Sequence, residues 1–320
     1  LGMMDLQTDK TDAGTPSTNF SALRLKRDLL RRSSIGLLFT GRSESIAASG
    51  ANYAYGADAT FLFFANLNIN TYWAKTRTPG LSGKDTSYRA QIDYTGDRYG
   101  LQVERLVVGN EFNPEVGFVR RRDIASSLAQ VRFSPRPRAR FKAVRKFSYS
   151  GFLKMMNDGT GRRVWRDWET EYAIEFQNGD RFSAAYGDTF EYLPTTFTVA
   201  SGVTLPVGDY QYGSFRSAYN LGQKRKFSGN LTFERGQFYD GTKTSLTITR
   251  GRMKFNTHFS VEPTYSINDV DLSVGSFTSH LLGSRLTYTF TPLMFASALI
   301  QYNSATNAVS SNVRLRWEYR

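Results

Sequence analysis

Apolar and polar residues alternate one by one in this chain, over stretches of about nine residues or more that recur from end to end. Val313, Leu315, Trp317 and Tyr319 interleave with Arg314, Arg316, Glu318 and Arg320. Trp168, Thr170, Tyr172, Ile174 and Phe176 do the same against Asp167, Glu169, Glu171, Ala173 and Glu175, as do Tyr88, Ala90, Ile92 and Tyr94 against Ser87, Arg89, Gln91 and Asp93. A period of two gives a strand one apolar and one polar face, and a helix cannot use it. Counting such segments gives about eighteen strands, most of them long enough to cross hydrocarbon at a tilt, where strands of water-soluble domains average about five or six residues. The pattern predicts an all-β fold: a transmembrane, antiparallel, up-and-down β-barrel, with residues 1–320 forming a single domain.

Composition agrees. The 320 residues are 40% hydrophobic and 14% aromatic, yet the mean hydropathy is only −0.42. No apolar run reaches the roughly eighteen residues of a membrane helix, whereas alternating barrel strands leave average hydropathy low. The absence of cysteine suits export through an oxidising compartment. Leu1 to Asp9 has no charged start, apolar core or cleavage site, so a processed chain or a fragment that begins within the domain is expected.

Connections are read as alternating short and long. The short set includes Arg31–Ser34, Ala65–Leu67, Gly96–Arg98, Pro135–Arg138, Gln177–Asp180, Gln223–Lys226, Lys254–Asn256 and Thr291–Leu293; the long set includes Arg42–Ala51, Thr76–Asp85, Glu111–Arg122, Leu193–Gly208, Ser266–Thr278 and Asn303–Ser311. Outer-membrane barrels have short periplasmic turns and long external loops, so the short set is expected to face the periplasm. Aromatic residues gather toward both strand ends, as interfacial girdles do. Pro263 alone among the prolines falls inside a strand, which predicts a bulge or a lost ladder bond.

The formal charge is +13. Much of the excess stands near short turns, at Arg27, Arg31, Arg32, Arg98, Arg136, Arg138, Arg140, Arg181, Lys224, Arg225, Lys226, Lys254 and Arg320. A ring of cations at one membrane face suits anionic headgroups and makes outer-membrane lipids the expected partners. Nucleic acid is not expected, because its grooves need one gathered basic patch. The polar strand faces mix both signs, among them Arg24, Arg89, Lys146 and Arg216 with Asp58, Glu104, Glu169 and Glu175. Such a lumen either conducts or is locked by ion pairs.

Catalytic chemistry is not predicted. His258 and His280 lack metal-ligand spacing, and Glu169, Glu171 and Glu175 share a face as any lumen residues do. No cofactor is expected. The segment of greatest functional interest is Glu111–Arg122, where Asn113, Glu115 and Phe118 precede three consecutive cations, Arg120, Arg121 and Arg122. These six residues are the candidate constriction or ligand contact, an aromatic beside guanidiniums being suited to a sugar ring or an anion. The alternative is a structural loop that packs over the barrel mouth.

Several stretches carry a family resemblance: Asn19 to Ser34, Tyr55-Gly-Ala-Asp58, Ala74 to Gly80, Phe112-Asn-Pro-Glu-Val-Gly-Phe-Val-Arg-Arg-Arg-Asp123 and Leu315-Arg-Trp-Glu-Tyr-Arg320. The chain resembles an uncharacterised bacterial family in which a domain similar to a family-nine carbohydrate-binding module precedes a C-terminal barrel region. The resemblance places this chain on the barrel region and implies a Gram-negative outer membrane. It also implies further chain beyond Leu1 and Arg320, and a saccharide theme. The expected function is passage or binding of a solute, a saccharide or an anionic molecule, through a polar lumen. The rival is a plugged barrel serving as anchor or subunit, with protein partners at its periplasmic face; a membrane-bound hydrolase is a distant third.

Overall fold

A computed structural model describes residues 1–10, 14–137 and 141–319. Arg138, Arg140 and Arg320 of the expected cation ring lie outside the described residues. Among those described there are twenty strands and no helix: β1 (Gly2–Thr8), β2 (Thr18–Leu29), β3 (Ser33–Arg42), β4 (Asn52–Phe63), β5 (Leu67–Arg77), β6 (Thr86–Thr95), β7 (Tyr99–Val108), β8 (Ile124–Phe133), β9 (Val144–Asp158), β10 (Arg163–Phe176), β11 (Arg181–Leu193), β12 (Phe197–Ala200), β13 (Val203–Leu205), β14 (Gly208–Leu221), β15 (Phe227–Phe238), β16 (Gly241–Lys254), β17 (Phe259–Leu272), β18 (Gly275–Thr291), β19 (Met294–Asn303) and β20 (Ala308–Trp317). Eighteen form one antiparallel up-and-down sheet; β12 and β13 pair separately. The ladders do not close into a ring among the described residues, so β1 and β20 are edge strands.

The chain divides into two compact units, residues 1–132 with 152–166, and 133–151 with 167–320. In the first, the register places Arg24 and Lys26, Gly36, Asp58, Tyr72, Arg89 and Gln91, and Glu104 on one face of successive strands. The opposite face carries Leu23, Leu25, Leu37, Phe39, Tyr55, Trp73, Ile92, Leu101 and Val103, all of them exposed. In the second unit Arg216, Glu234, Ser245, Asn268 and Arg285 share the polar face, while Phe215, Leu231, Leu246, Ile300 and Leu315 stand exposed on the apolar one.

The buried apolar side chains stand elsewhere. Apart from Ala173 and Ala185, the described ones lie at the long-loop ends: Val108, Phe112 and Val164 in the first unit, Leu193, Val203, Leu205, Tyr210, Val270 and Leu272 in the second. Here the faces exchange character. Val270 and Leu272 continue the side that carries Asn268, while Asp269 and Asp271 continue the side that carries Tyr265 and Ile267. Above the exchange, β11, β14 and β17 bury apolar residues on the side that is polar below, and β18 adds the half-buried Phe277.

Strict alternation of connection length fails for a related reason. Expected long loops at Ser266–Thr278 and Asn303–Ser311 are strands joined by residues 273–274 and 304–307, and β15 meets β16 through Tyr239 and Asp240. The alternation in Ile267–Leu272 continues as β-structure with inverted polarity, so the strands grow longer and the turns tighten; β17 has 14 residues and β18 has 17. Long connections at 43–51, 109–123 and 194–207 remain. Pro263 pairs with Ser284 of β18. On its other side the ladder jumps from Ile248–Tyr265 to Met253–Val261, placing an extra residue in β16 with Arg250 at φ 50°. The missing proline donor is accommodated by that bulge.

Candidate functional site

The polar face is laced by ion pairs between strands. Arg24 of β2 reaches past β3 to form a two-pronged pair with Asp58 of β4, one prong at 2.9 Å. Gly36 makes the crossing possible: a Cβ there would stand 2.5 Å from an Arg24 guanidinium nitrogen. In the second unit Arg216 of β14 crosses β11, opposite Ala185, to meet Glu169 of β10 at 2.6 Å. Neighbouring strands are joined by Arg89–Glu104 (2.8 Å), Lys243–Glu234 (2.7 Å) and Lys146–Glu175 (3.1 Å). Arg181 holds Glu171. Glu169, Glu171 and Glu175 thus each face a cation of their own.

At the long-loop ends of the first unit, residues 109–123 fold back from β7 over the tops of β6, β5, β4 and β3. Gly109 starts this path so close to Lys84 that a Cβ would lie 1.9 Å from its carbonyl oxygen. Asn113 N–H donates to Thr76 Oγ1 (3.0 Å), and Asn52 Nδ2 donates to the Asn113 carbonyl (2.9 Å) and to Thr78 Oγ1 (2.8 Å). Glu115, its side chain wholly buried, accepts from Ser45 Oγ (2.6 Å) and Ile46 N–H (3.1 Å) and stands 3.7 Å from Arg42. Asn52, Thr76 and Ser87, all on the polar-face side, are buried beneath. The reach is about four strand spacings, or roughly 19 Å.

The corresponding position in the second unit is filled by the β12–β13 hairpin. Val203 and Leu205 pack with Leu193, Tyr210, Val270 and Leu272, and with Phe238, Tyr239 and Phe277 around them. Leu205 is completely buried. Tyr210 donates from its hydroxyl to the Pro206 carbonyl (2.8 Å), and Tyr239 to Glu191 (3.1 Å). Burial, reinforced by the Glu191 carboxylate, pushes the Tyr239 phenol up to about 12.

At the other ends of the strands, Asp180 ties two short turns together. It accepts from Gly222 N–H (2.9 Å), Tyr219 Oη (3.0 Å) and Arg225 Nη2 (2.6 Å). The Gly222 amide, then Arg225 and Tyr219, hold its carboxyl below the usual carboxylate range.

The six residues singled out in the sequence separate into two groups. Asn113 and Glu115 are the anchors of the loop. Phe118 is 89% exposed, and Arg120, Arg121 and Arg122 are exposed with no hydrogen bond or ion pair among the described residues. Glu115 is committed to Arg42, Ser45 and Ile46 rather than to these arginines. His258 stands in a short turn with Nδ1 2.8 Å from the Thr289 carbonyl and its ring stacked on Tyr288 of the apolar face. His280 meets Tyr265 Oη at 3.1 Å. Among the described residues no group of three or more His, Cys, Asp or Glu is placed to hold a metal. The hairpin and the polar anchors Asn52, Thr76 and Arg42 were missed in the sequence. Ser201-Gly202 between Phe197–Ala200 and Val203–Leu205 is the turn signal that marks the hairpin.

Searches of protein families and of curated proteins return no match to this sequence. Chemically, each unit offers a polar, ion-paired surface covered at its own long-loop ends by a folded segment, and the segment of the first unit presents free guanidiniums and an aromatic ring.

Proposed function

We propose that this chain forms an outer-membrane β-barrel whose polar face lines a lumen that passes or binds a polar solute. The observation that carries the proposal is the exposed apolar face. Each half-exposed Leu, Ile or Phe forgoes about 1 kcal/mol of burial, and residues such as Leu37, Phe39, Ile92, Val103, Phe215, Leu231, Ile300 and Leu315 repeat that loss in both units. Summed over the face, the loss is on the order of tens of kcal/mol, against a typical net stability of about 5–15 kcal/mol. Hydrocarbon removes it. Hydrocarbon also forbids open sheet edges, so this reading requires the edges of β1 and β20 to be paired in the membrane. The chain's resemblance to the carbohydrate-module family favours a saccharide as the solute, and the free Arg120–Arg122 favour one bearing anionic groups.

A second reading has its own observation. The β12–β13 hairpin folds onto the polar-face side of its strands, and the ion pairs below compete with solute for the charged groups they join; both favour a plugged barrel that serves as anchor or subunit. Single-channel recording of the purified protein in a planar bilayer separates the two. Steady conductance is expected for the pore, and silence in a correctly inserted protein supports the plug.

A further inference from the structure

Two short turns of the first unit carry a combination that costs free energy twice. Leu30, between β2 and β3, and Phe64, between β4 and β5, both have φ 55°. Bulky L residues are uncommon in that left-handed region, where Gly or Asn would sit at little cost. Both side chains nevertheless project almost fully into solvent, Leu30 at 79% and Phe64 at 91% exposure. Backbone strain and apolar exposure are thus spent together at adjacent hairpins, two strand spacings or about 10 Å apart. Around Leu30 the side chains of Arg27, Arg31 and Arg32 are exposed, with Asp28 the acid nearest in sequence. In the second unit the pairing of an exposed apolar residue with a short-turn cation recurs at Phe255 and Lys254.

We infer that these turns dock on an anionic phospholipid leaflet, with Leu30 and Phe64 seated below the headgroups and Arg31 and Arg32 on the phosphates. The inference rests on the barrel reading above. Strand length supports it: β4 has 12 residues, which at about 3.3 Å each and a tilt of about 45° span roughly 28 Å, close to the apolar band of about 25 Å. Tyr53, Tyr55 and Trp73 mark the membrane boundary near the long-loop end, so the turns reach the opposite boundary and not the aqueous space beyond. An interfacial element that buries an apolar side chain and pairs its cations with anionic lipid gains from both. A protein partner is the competing occupant; it has no corresponding reason to sit at this depth.

The chain has no cysteine, so Phe64→Cys and Leu315→Cys can each carry a single nitroxide. Depth is read from accessibility to oxygen against a water-soluble relaxant, in phosphatidylcholine vesicles with and without phosphatidylglycerol. The expected result is a Leu315 label in hydrocarbon in both vesicles and a Phe64 label immersed in the anionic ones. Neutralising Arg31 and Arg32 to Gln should lower the docked-to-undocked ratio about fivefold for each arginine. A Leu315 label in hydrocarbon with a Phe64 label in water, or immersed equally without phosphatidylglycerol, overturns this inference and leaves the barrel standing. A Leu315 label in water overturns both.

Discussion

Residues 109–123 in one unit and the β12–β13 hairpin in the other both fold over the polar face at the long-loop ends of their strands, but different forces hold them. The first is fastened by buried polar groups, Glu115 and Asn52 above all. The second is fastened by Val203 and Leu205 in an apolar cluster. The polar fastening is directional and short-ranged, and leaves the far half of its loop, with Phe118 and Arg120–Arg122, free. The apolar fastening grips the hairpin on both of its strands. A segment meant to meet solute and a segment meant to stay shut would differ in this way.

The largest expected effect falls on the apolar cap. Leu205→Ala should cost about 2–5 kcal/mol of cap stability, seen as faster amide exchange across residues 197–205 with residues 109–123 unchanged; equal acceleration in both would erase the distinction. If the hairpin is a plug, the same variant turns silent channels into conducting ones. Glu115→Ala should cost about 1–3 kcal/mol, because the Ile46 amide and Ser45 hydroxyl lose their acceptor. Its readout is exchange at Ile46 and Glu115, with the hairpin unaffected.

Proton linkage sharpens the contrast. Tyr239 in the second cap has its pKa raised from 10.0 to about 12, so its contribution is complete below pH 10 and is lost as pH climbs toward the folded value. Alkaline exchange should therefore accelerate in the β12–β13 cap, and Tyr239→Phe should abolish that step. Asp180 works in the opposite sense: its pKa is lowered from 3.8, so its contribution is present above that value and disappears as pH falls below it. Gly222 amide exchange in acid is the check, with Asp180→Asn insensitive. The smallest effect on stability is reserved for Arg120, Arg121 and Arg122 replaced by Ser, within about 0.5 kcal/mol as for most surface changes. In a conducting protein the reversal potential should shift toward cations; an unchanged ratio removes these arginines from the pathway.

The strands and their facing were legible because alternation is local: Val313, Leu315 and Trp317 fall together wherever the neighbouring strand lies. The antiparallel order followed from short turns for the same reason. What escaped was set by partners distant in sequence. Asp269 and Asp271 resemble loop residues until Val270 and Leu272 are known to meet Val203 and Leu205, and nothing near Glu115 announces that it will accept from Ser45 and Ile46. Nothing in the sequence around Gly36 marks its role, since its meaning lies in Arg24 and Asp58 on the strands to either side.

The chain-order pairing of the sheet has a consequence for assembly. Among the described residues the ladders of the main sheet follow chain order, with β11 passing to β14 across the β12–β13 hairpin, so most pairings close short loops at small entropic expense and the sheet can grow one strand at a time. The two caps do not share this freedom equally. Residues 109–123 settle on β3, β4 and β5, which precede them, so growth from the N-terminus can close that cap as soon as its own segment arrives. Val203 and Leu205 need Val270 and Leu272, which come later. Between the arrival of β13 and that of β17, a nascent sheet carries an uncovered hairpin, so the cap of the second unit is completed well after that of the first.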